Sequence, residues 1–192
     1  MKKLITNLTI LILFFIITAN LKNVLAFNLV SIGFSPDTLN LKQNQESNFD
    51  LILSPNSPSL GISGFDICLK YDPGQIQIID AKTPIDLIKG DNTKFNEVNK
   101  KIDNNQGSGC LGYISILPDD ELSRKVSLSV TIKGLKSGSG QITVKSAQIV
   151  GNIPENLFKN QAGVLNYSIS GSDTNLLMRI WVFIQNLLPF LK

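Results

Sequence analysis

The regular alternation of apolar and polar side chains along this chain predicts short β-strands. The clearest case is the stretch 61–82, GISGFDICLKYDPGQIQIIDAK, in which two alternating runs flank a turn at Tyr71-Asp72-Pro73-Gly74. Successive side chains of a strand point to opposite faces, so each run has one face to bury. Proline fixes one φ angle and glycine frees the next, which suits this pair to a turn. We therefore expect a two-stranded unit that packs against a second sheet, because a lone hairpin is marginal in water.

Runs of the same kind, separated by turn residues, continue from residue 27 to residue 170. Their spacing predicts an all-β domain of nine main strands, in a sandwich or a barrel, and no run is long and helical enough for a βαβ unit. The segment 84–88 fits either one helical turn or a loop. The predicted strands are 29–34, a short extended piece at 38–41, then 49–53, 62–71, 75–81, 95–102, 110–117, 126–135, 141–150 and 163–170.

The N-terminal residues 1–26 have the pattern of a secretory signal helix. Lys2 and Lys3 precede an apolar run at 8–19, and the small residues expected at a cleavage site end at Ala26. The alternative is an uncleaved membrane anchor, although the apolar run is shorter than the roughly 20 residues that span a bilayer. Under both interpretations the rest of the chain is exported.

The C-terminal residues form a second apolar segment. A short polar linker, 171–175, is followed by LLMRIWVFIQNLLPFL at 176–191. As a helix at 1.5 Å per residue this segment is about 24 Å long, slightly less than the hydrocarbon core of a membrane. We expect a membrane anchor that lies in the interface or makes a short span. The alternative is a C-terminal helix docked on the β-domain.

Charge and composition exclude several classes of function. The chain has 18 basic and 15 acidic residues, but three of the lysines lie in the predicted signal, so the remaining charges balance. No basic footprint for nucleic acid remains. Histidine is absent, which removes the commonest general base and zinc ligand and excludes Ser-His-Asp and Cys-His catalytic arrangements. We expect no catalytic residues, no cofactor and no bound metal.

Other candidate sites are weaker. Asp119-Asp120-Glu121 fits either a calcium site or a solvated turn, and the turn is the simpler interpretation. Asp72 is interpreted as a turn residue that caps backbone N–H groups. Trp181, the single tryptophan, lies in the C-terminal segment, which argues against a sugar-stacking platform unless one of the three tyrosines is exposed.

Several stretches of this chain resemble a cohesin-type module. The first is Val30-Ser31-Ile32, followed by Phe49-Asp50-Leu51-Ile52-Leu53. The second is GFDICLKYDP at 64–73 followed by QIQI at 75–78, which is similar to the strand, Tyr-Asp-Pro, strand signature of that family. The third, 126–132 followed by GSGQITV at 138–144, resembles the late hairpin. The similarity extends over about residues 28–170.

This resemblance implies a nine-stranded jelly-roll β-sandwich that binds a dockerin on one sheet. The binding face of cohesins is made by their third, fifth, sixth and eighth strands, which correspond here to 62–71, 94–102, 110–117 and 141–150. The chain contains no dockerin-like calcium-loop repeat of its own. The implied partner-binding residues are Asp66, Lys70, Asn96, Asn99 and Lys100.

The resemblance also places the two cysteines, Cys68 and Cys110, on neighbouring strands of that face. A cross-strand disulfide is feasible if their Cα atoms come within about 4.4–6.8 Å. The alternative is two free thiols, one on each strand.

We therefore expect a non-catalytic, exported protein-binding module at the cell surface, tethered to the membrane by its C-terminal segment. Its expected partner is a dockerin-like or other modular surface protein. Fold alone does not fix the ligand, so two alternatives stay open. One is adhesion to a polysaccharide through the same sandwich, and the other is a structural surface subunit that polymerises.

Overall fold

The computed structural model describes residues 29–90, 95–118, 122–158 and 162–171, together with position 184. The predicted signal at 1–26 with its cleavage residue Ala26, the acidic turn at 119–121, and almost all of the segment 172–192 lie outside the described residues. Within the described ranges, no helix combines the length and the apolar character that crossing a bilayer requires.

The described ranges form eleven β-strands in two sheets. The strands are β1 (Val30–Ser35), β2 (Thr38–Lys42), β3 (Glu46–Pro55), β4 (Ile62–Lys70), β5 (Ile76–Ala81), β6 (Ile85–Asp86), β7 (Phe95–Asp103), β8 (Ser108–Ser115), β9 (Val126–Gly134), β10 (Gly138–Gly151) and β11 (Val164–Ser170). One sheet has the order β1-β3-β9-β5, with β6 also paired to β9, and the other has the order β2-β11-β10-β4-β8-β7. The β2–β11 pair is parallel and the other pairs are antiparallel. The expected all-β sandwich is confirmed.

The core lies between the two sheets and follows the period-two pattern. On β9 every second side chain is completely buried, and on β4 three alternating apolar side chains are buried, while their neighbours along the strand face outward. Full burial of an aliphatic side chain of this size contributes about 1.5–3 kcal/mol, so the alternation fixes which face of each strand turns inward. These inward residues are Val126, Leu128, Val130 and Ile132 on β9, and Phe65, Ile67 and Leu69 on β4.

The predicted pairing of the two strands around Tyr71-Asp72-Pro73-Gly74 is wrong. β4 pairs with β10 and β8, whereas β5 pairs with β9 in the opposite sheet. The turn therefore carries the chain from one sheet to the other. The late hairpin suggested by the resemblance is also a sheet-to-sheet connection, because β9 and β10 lie in different sheets. Alternation identifies the buried face of a strand but does not identify its partner.

This corner is tied to the β7–β8 turn by one asparagine. Asn104 Oδ1 accepts hydrogen bonds from the Tyr71 hydroxyl (2.6 Å) and from the Ile78 N–H (2.9 Å). Asn104 Nδ2 donates to the Ile78 carbonyl oxygen at 2.9 Å. The Tyr71 N–H donates to the carbonyl of Gly107, which has a φ of +62°. Asp72 Oδ1 accepts from the Gly74 N–H at 2.8 Å, as expected of a turn residue.

Two further segments, 84–88 and 95–102, contain strands. The segment 84–88 contains the two-residue strand β6 and a turn after it, so it is neither a helical turn nor a plain loop. The segment 95–102, predicted as a strand, is part of β7, which pairs with β8 and has a bulge at Val98 between Glu97 and Asn99. The bulge changes which β7 side chains share a face.

Candidate protein-binding face

Strands β10, β4, β8 and β7 lie side by side in that order, so the four segments implied to form the binding face are neighbours in one sheet. We call the solvent side of these four strands the outer face. The burial pattern of β4 and the register of its partners assign the residues of this face. They are Ser146, Gln148 and Val150 on β10, Gly64, Asp66, Cys68 and Lys70 on β4, Ser108, Cys110, Gly112 and Ile114 on β8, and Asn96, Val98, Asn99, Lys101 and Asp103 on β7.

The two predicted residues of β4 are exposed on the outer face. Asp66 lies opposite Gln148 on one side and Gly112 on the other. Lys70 lies at the far end of the strand, where its Nζ donates to the carbonyl oxygen of Gln106 at 2.6 Å. The exposed Asp66 carboxylate is therefore accessible to a partner from solvent, while Asn99 and Val98 of β7 pack over the neighbouring Gly112.

Of the predicted β7 residues, two share this face and one does not. Asn96 and Asn99 lie opposite Ile114 and Gly112, both of the outer face. Lys100 lies opposite the fully buried Leu111, so it points to the other side, contrary to the expectation from the sequence. The Val98 bulge places two residues between the outward Asn96 and Asn99. A strict period of two from Asn96 would put Lys100 on the outer face, and the bulge shifts this pattern by one residue.

Lys100 instead links β7 of one sheet to β5 of the other. Its Nζ donates to Asp80 Oδ1 at 2.5 Å and to the carbonyl oxygen of Ala81 at 2.9 Å, both at the end of β5. The hydrogen bond from Lys100 lowers the pKa of Asp80 below its ordinary value. The next residue of β7, Lys101, lies opposite Cys110 and points outward.

An apolar groove of about 180 Å³ opens at one end of the outer face. Val98, Ile114 and Val150 come from three different strands, and their exposed fractions are 66%, 47% and 38%. The absence of a side chain at Gly64 keeps the floor of the groove open, because a Cβ there would lie 3.3 Å from Val150 Cγ2. Asp66 and Gln148 also line it and supply polar groups. The groove suits an apolar anchor residue of a partner, surrounded by hydrogen-bonding groups.

Sequence reasoning did not find this groove. Glycine inside a strand is a sign that another molecule or backbone comes close, so Gly64 was the one local signal available. The walls of the groove come from three different strands, and local alternation along one strand does not bring them together.

The two cysteines are directly opposite each other in the β4–β8 register and are joined by a disulfide. Their Cα–Cα distance of 4.0 Å is slightly shorter than the range of about 4.4–6.8 Å expected from the sequence. Both residues are half-buried on the outer face. The bond therefore joins the two central strands of the four on the side that faces solvent.

No described surface residue group suits metal binding or sugar stacking. Within the described ranges, no three His, Cys, Asp or Glu residues are grouped so as to hold a metal ion. All three tyrosines of the chain are buried, which removes the one feature that kept the sugar-binding alternative open. Burial, with smaller contributions from Glu97 and Asp80, raises the pKa of Tyr113 to about 12.

Comparison with known proteins supports the fold. No protein-family model matches the sequence, and no curated protein sequence matches it significantly. Among solved structures, the OlpA cohesin of Clostridium thermocellum, in complex with the dockerin Doc918, is 16% identical. That likeness covers 74% of this chain and 100% of that chain with a TM-score of 0.59.

Two further structures agree with the first. The third ScaC cohesin of Acetivibrio cellulolyticus, in complex with the ScaB dockerin, is 10% identical over 73% of this chain and 98% of that chain, with a TM-score of 0.56. The cohesin module of a Clostridium perfringens family 33 glycoside hydrolase is 12% identical over 74% of this chain and 96% of that chain, with a TM-score of 0.54. The chain therefore has the fold of a cohesin module.

Proposed function

We propose that this chain is a non-catalytic module that binds a dockerin-bearing protein through its outer face. The observation that carries the proposal is the apolar groove between Gly64, Val98, Ile114 and Val150, which lies on four adjacent strands whose other outward residues are mostly small or polar. Two of the structurally similar cohesins were solved with a dockerin bound. Their likeness to this chain supports the same class of partner.

The energetics of the groove favour one apolar anchor on the partner. Interfaces derive most of their binding free energy from a few side chains buried in such pockets, while the polar surroundings give direction and exclude water. Asn96, Asn99 and Gln148 offer amide donors and acceptors beside the groove, and Asp66 offers a carboxylate. A partner is therefore expected to insert an aliphatic or aromatic side chain and to place hydrogen-bonding groups around it.

The proposal includes a location at the cell surface. The apolar segments at 8–19 and 176–191 support export and a C-terminal tether. The Cys68–Cys110 disulfide is consistent with an oxidising compartment, where such bonds persist. Deleting 176–191 should release the protein into the medium, as measured by cell fractionation. Retention on the cell after the deletion would remove the tether from the proposal.

The binding experiment uses the full-length chain and a panel of dockerin modules, including those of the OlpA and ScaC complexes, with titration calorimetry as the readout. Val98→Asp places a charge in the groove and should weaken binding at least about tenfold. Ile88→Asp is the matched control, because Ile88 is 65% exposed, like Val98 at 66%, but lies in the turn after β6 outside the outer face.

The control should bind with the affinity of the natural sequence, and circular dichroism should confirm that both variants are folded. Equal binding by Val98→Asp and the natural sequence would place the interface elsewhere. A folded protein that captures no dockerin of the panel would overturn the assignment of the partner class.

A further inference from the structure

The disulfide of the outer face joins the two halves of the proposed binding surface. Cys68 on β4 lies between Ser146 on β10 and Cys110 on β8, and Cys110 lies opposite Lys101 on β7. We propose that this bond is a redox-controlled lock that holds the β7–β8 hairpin in its binding position. This proposal rests on the proposed function of the outer face.

The hairpin needs such a lock because β7 is an edge strand. In the described sheet β7 pairs with β8 alone, and β8 in turn pairs with β4. The hairpin nevertheless supplies two walls of the groove, Val98 and Ile114, and both candidate asparagines, Asn96 and Asn99. Any opening between β8 and β4 therefore moves these residues away from Gly64 and Val150, which form the other side.

Noncovalent contacts also hold the hairpin, and they limit what the lock does. Phe95, Leu111 and Tyr113 are buried in the core, and Asn104 ties the turn to Ile78 of β5. Loss of the disulfide should therefore allow local opening of β7–β8 while the rest of the sandwich stays folded.

The disulfide is placed where a reductant can reach it. Both cysteines are half-buried on the solvent side of the sheet. A dithiol attacks one Sγ through its thiolate, forms a mixed disulfide and releases the other cysteine as a thiolate. Its second thiol then displaces the first cysteine, so that one disulfide and one dithiol give two cysteine thiols and one oxidised dithiol. Lys101 lies opposite Cys110, and Lys70 lies two residues from Cys68 on the same face; their positive charges favour the departing thiolate.

The lock makes partner binding depend on the redox state. In a reducing compartment the two cysteines are thiols, and the β7–β8 half of the outer face is held by noncovalent contacts alone. Oxidation then fixes both halves of the groove relative to each other. The binding surface would therefore be completed only in an oxidising environment.

The test compares amide hydrogen exchange of the full-length chain in three forms: oxidised, reduced with dithiothreitol, and the Cys68→Ser/Cys110→Ser variant. Exchange in peptides that cover 95–115 should accelerate at least about tenfold in the second and third forms. Exchange in β9, at 126–134, should change less than about twofold and serves as the internal control. Removal of dithiothreitol and reoxidation should restore the slow exchange of the natural sequence.

The same three forms are then titrated with the dockerin that binds the oxidised chain. Reduction should weaken binding at least about tenfold, and reoxidation should restore it. Unchanged exchange at 95–115, or equal acceleration in all strands, would overturn the lock, since the bond would then be inert or only globally stabilising. Because the exchange measurement needs no partner, a locked chain that binds no dockerin would refute the proposed function separately.

Discussion

Replacing Asn104 by alanine should destabilise the sandwich markedly, because this side chain links a turn to a sheet corner. The side chain of Asn104 supplies three hydrogen bonds between the β7–β8 turn and the sheet corner: two to the backbone of Ile78 and one to the Tyr71 hydroxyl. Alanine removes all three and leaves the N–H and the carbonyl of Ile78 without these partners. Backbone groups buried without partners are costly, so the loss exceeds that of an exposed polar contact.

The magnitude follows from which groups can find substitutes. The Tyr71 hydroxyl keeps a second acceptor, the Ser108 carbonyl oxygen at 3.5 Å, so its loss is partly compensated. The two Ile78 groups lie at the sheet edge beside Asn104, whose side chain is half-buried, so water would replace part of the lost hydrogen bonding in the variant. With about 1 kcal/mol for each backbone group and less for the hydroxyl, we expect a loss of about 2–3 kcal/mol of unfolding free energy.

Urea unfolding of the oxidised protein, followed by circular dichroism, measures this loss as a lower midpoint at an unchanged slope. Asn105→Ala is the matched control, because Asn105 lies in the same turn, is exposed and contributes none of these three bonds. Its free energy of unfolding should stay within about 0.5 kcal/mol of the natural value. If Asn104→Ala also fell within that limit, the corner would not depend on this side chain.

Three further changes test other parts of the structure. Gly107→Ala should lower the free energy of unfolding in urea by more than about 2 kcal/mol, because a Cβ there would overlap the backbone oxygen of Tyr71. Gly90 has a similar positive φ but lies in open space, so Gly90→Ala should lower it by about 1 kcal/mol. The folded protein keeps Tyr113 protonated up to a pH of about 12, so the contribution of this residue to the free energy of unfolding should be complete below about pH 10 and be lost as the pH rises toward about 12. Tyr113→Phe should therefore lose less stability than the natural sequence in alkaline unfolding. Lys100→Met should return the pKa of Asp80 toward its ordinary value by NMR titration and cost less than about 1 kcal/mol, because the pair is partly exposed. If Tyr113→Phe and the natural sequence lost stability equally at alkaline pH, burial of Tyr113 would not be the cause of that loss. If the pKa of Asp80 stayed low in Lys100→Met, the hydrogen bond from Lys100 would not be what lowers it.

Local alternation determined where the strands lie and which residues face outward on the regular ones. The outward orientation expected of Asp66 and Lys70 is observed, because the period of two is uninterrupted from Phe65 to Lys70. The strand positions agree with the described structure to within a few residues at each end, except that the short β6 was not foreseen as a strand. These features depend only on neighbouring residues and on the burial of one face.

Only the tertiary structure decided the strand partners, the face of Lys100 and the groove. Which sheet receives β5 depends on its pairing with β9, about 50 residues further along the chain, and the turn at 71–74 is compatible with either outcome. The orientation of Lys100 depends on the bulge at Val98, which changes the register against β8 without a distinct local signal. The groove needs Val98, Ile114, Val150 and Gly64 side by side, and sheet packing brings them together because pairing is set by contacts between distant segments.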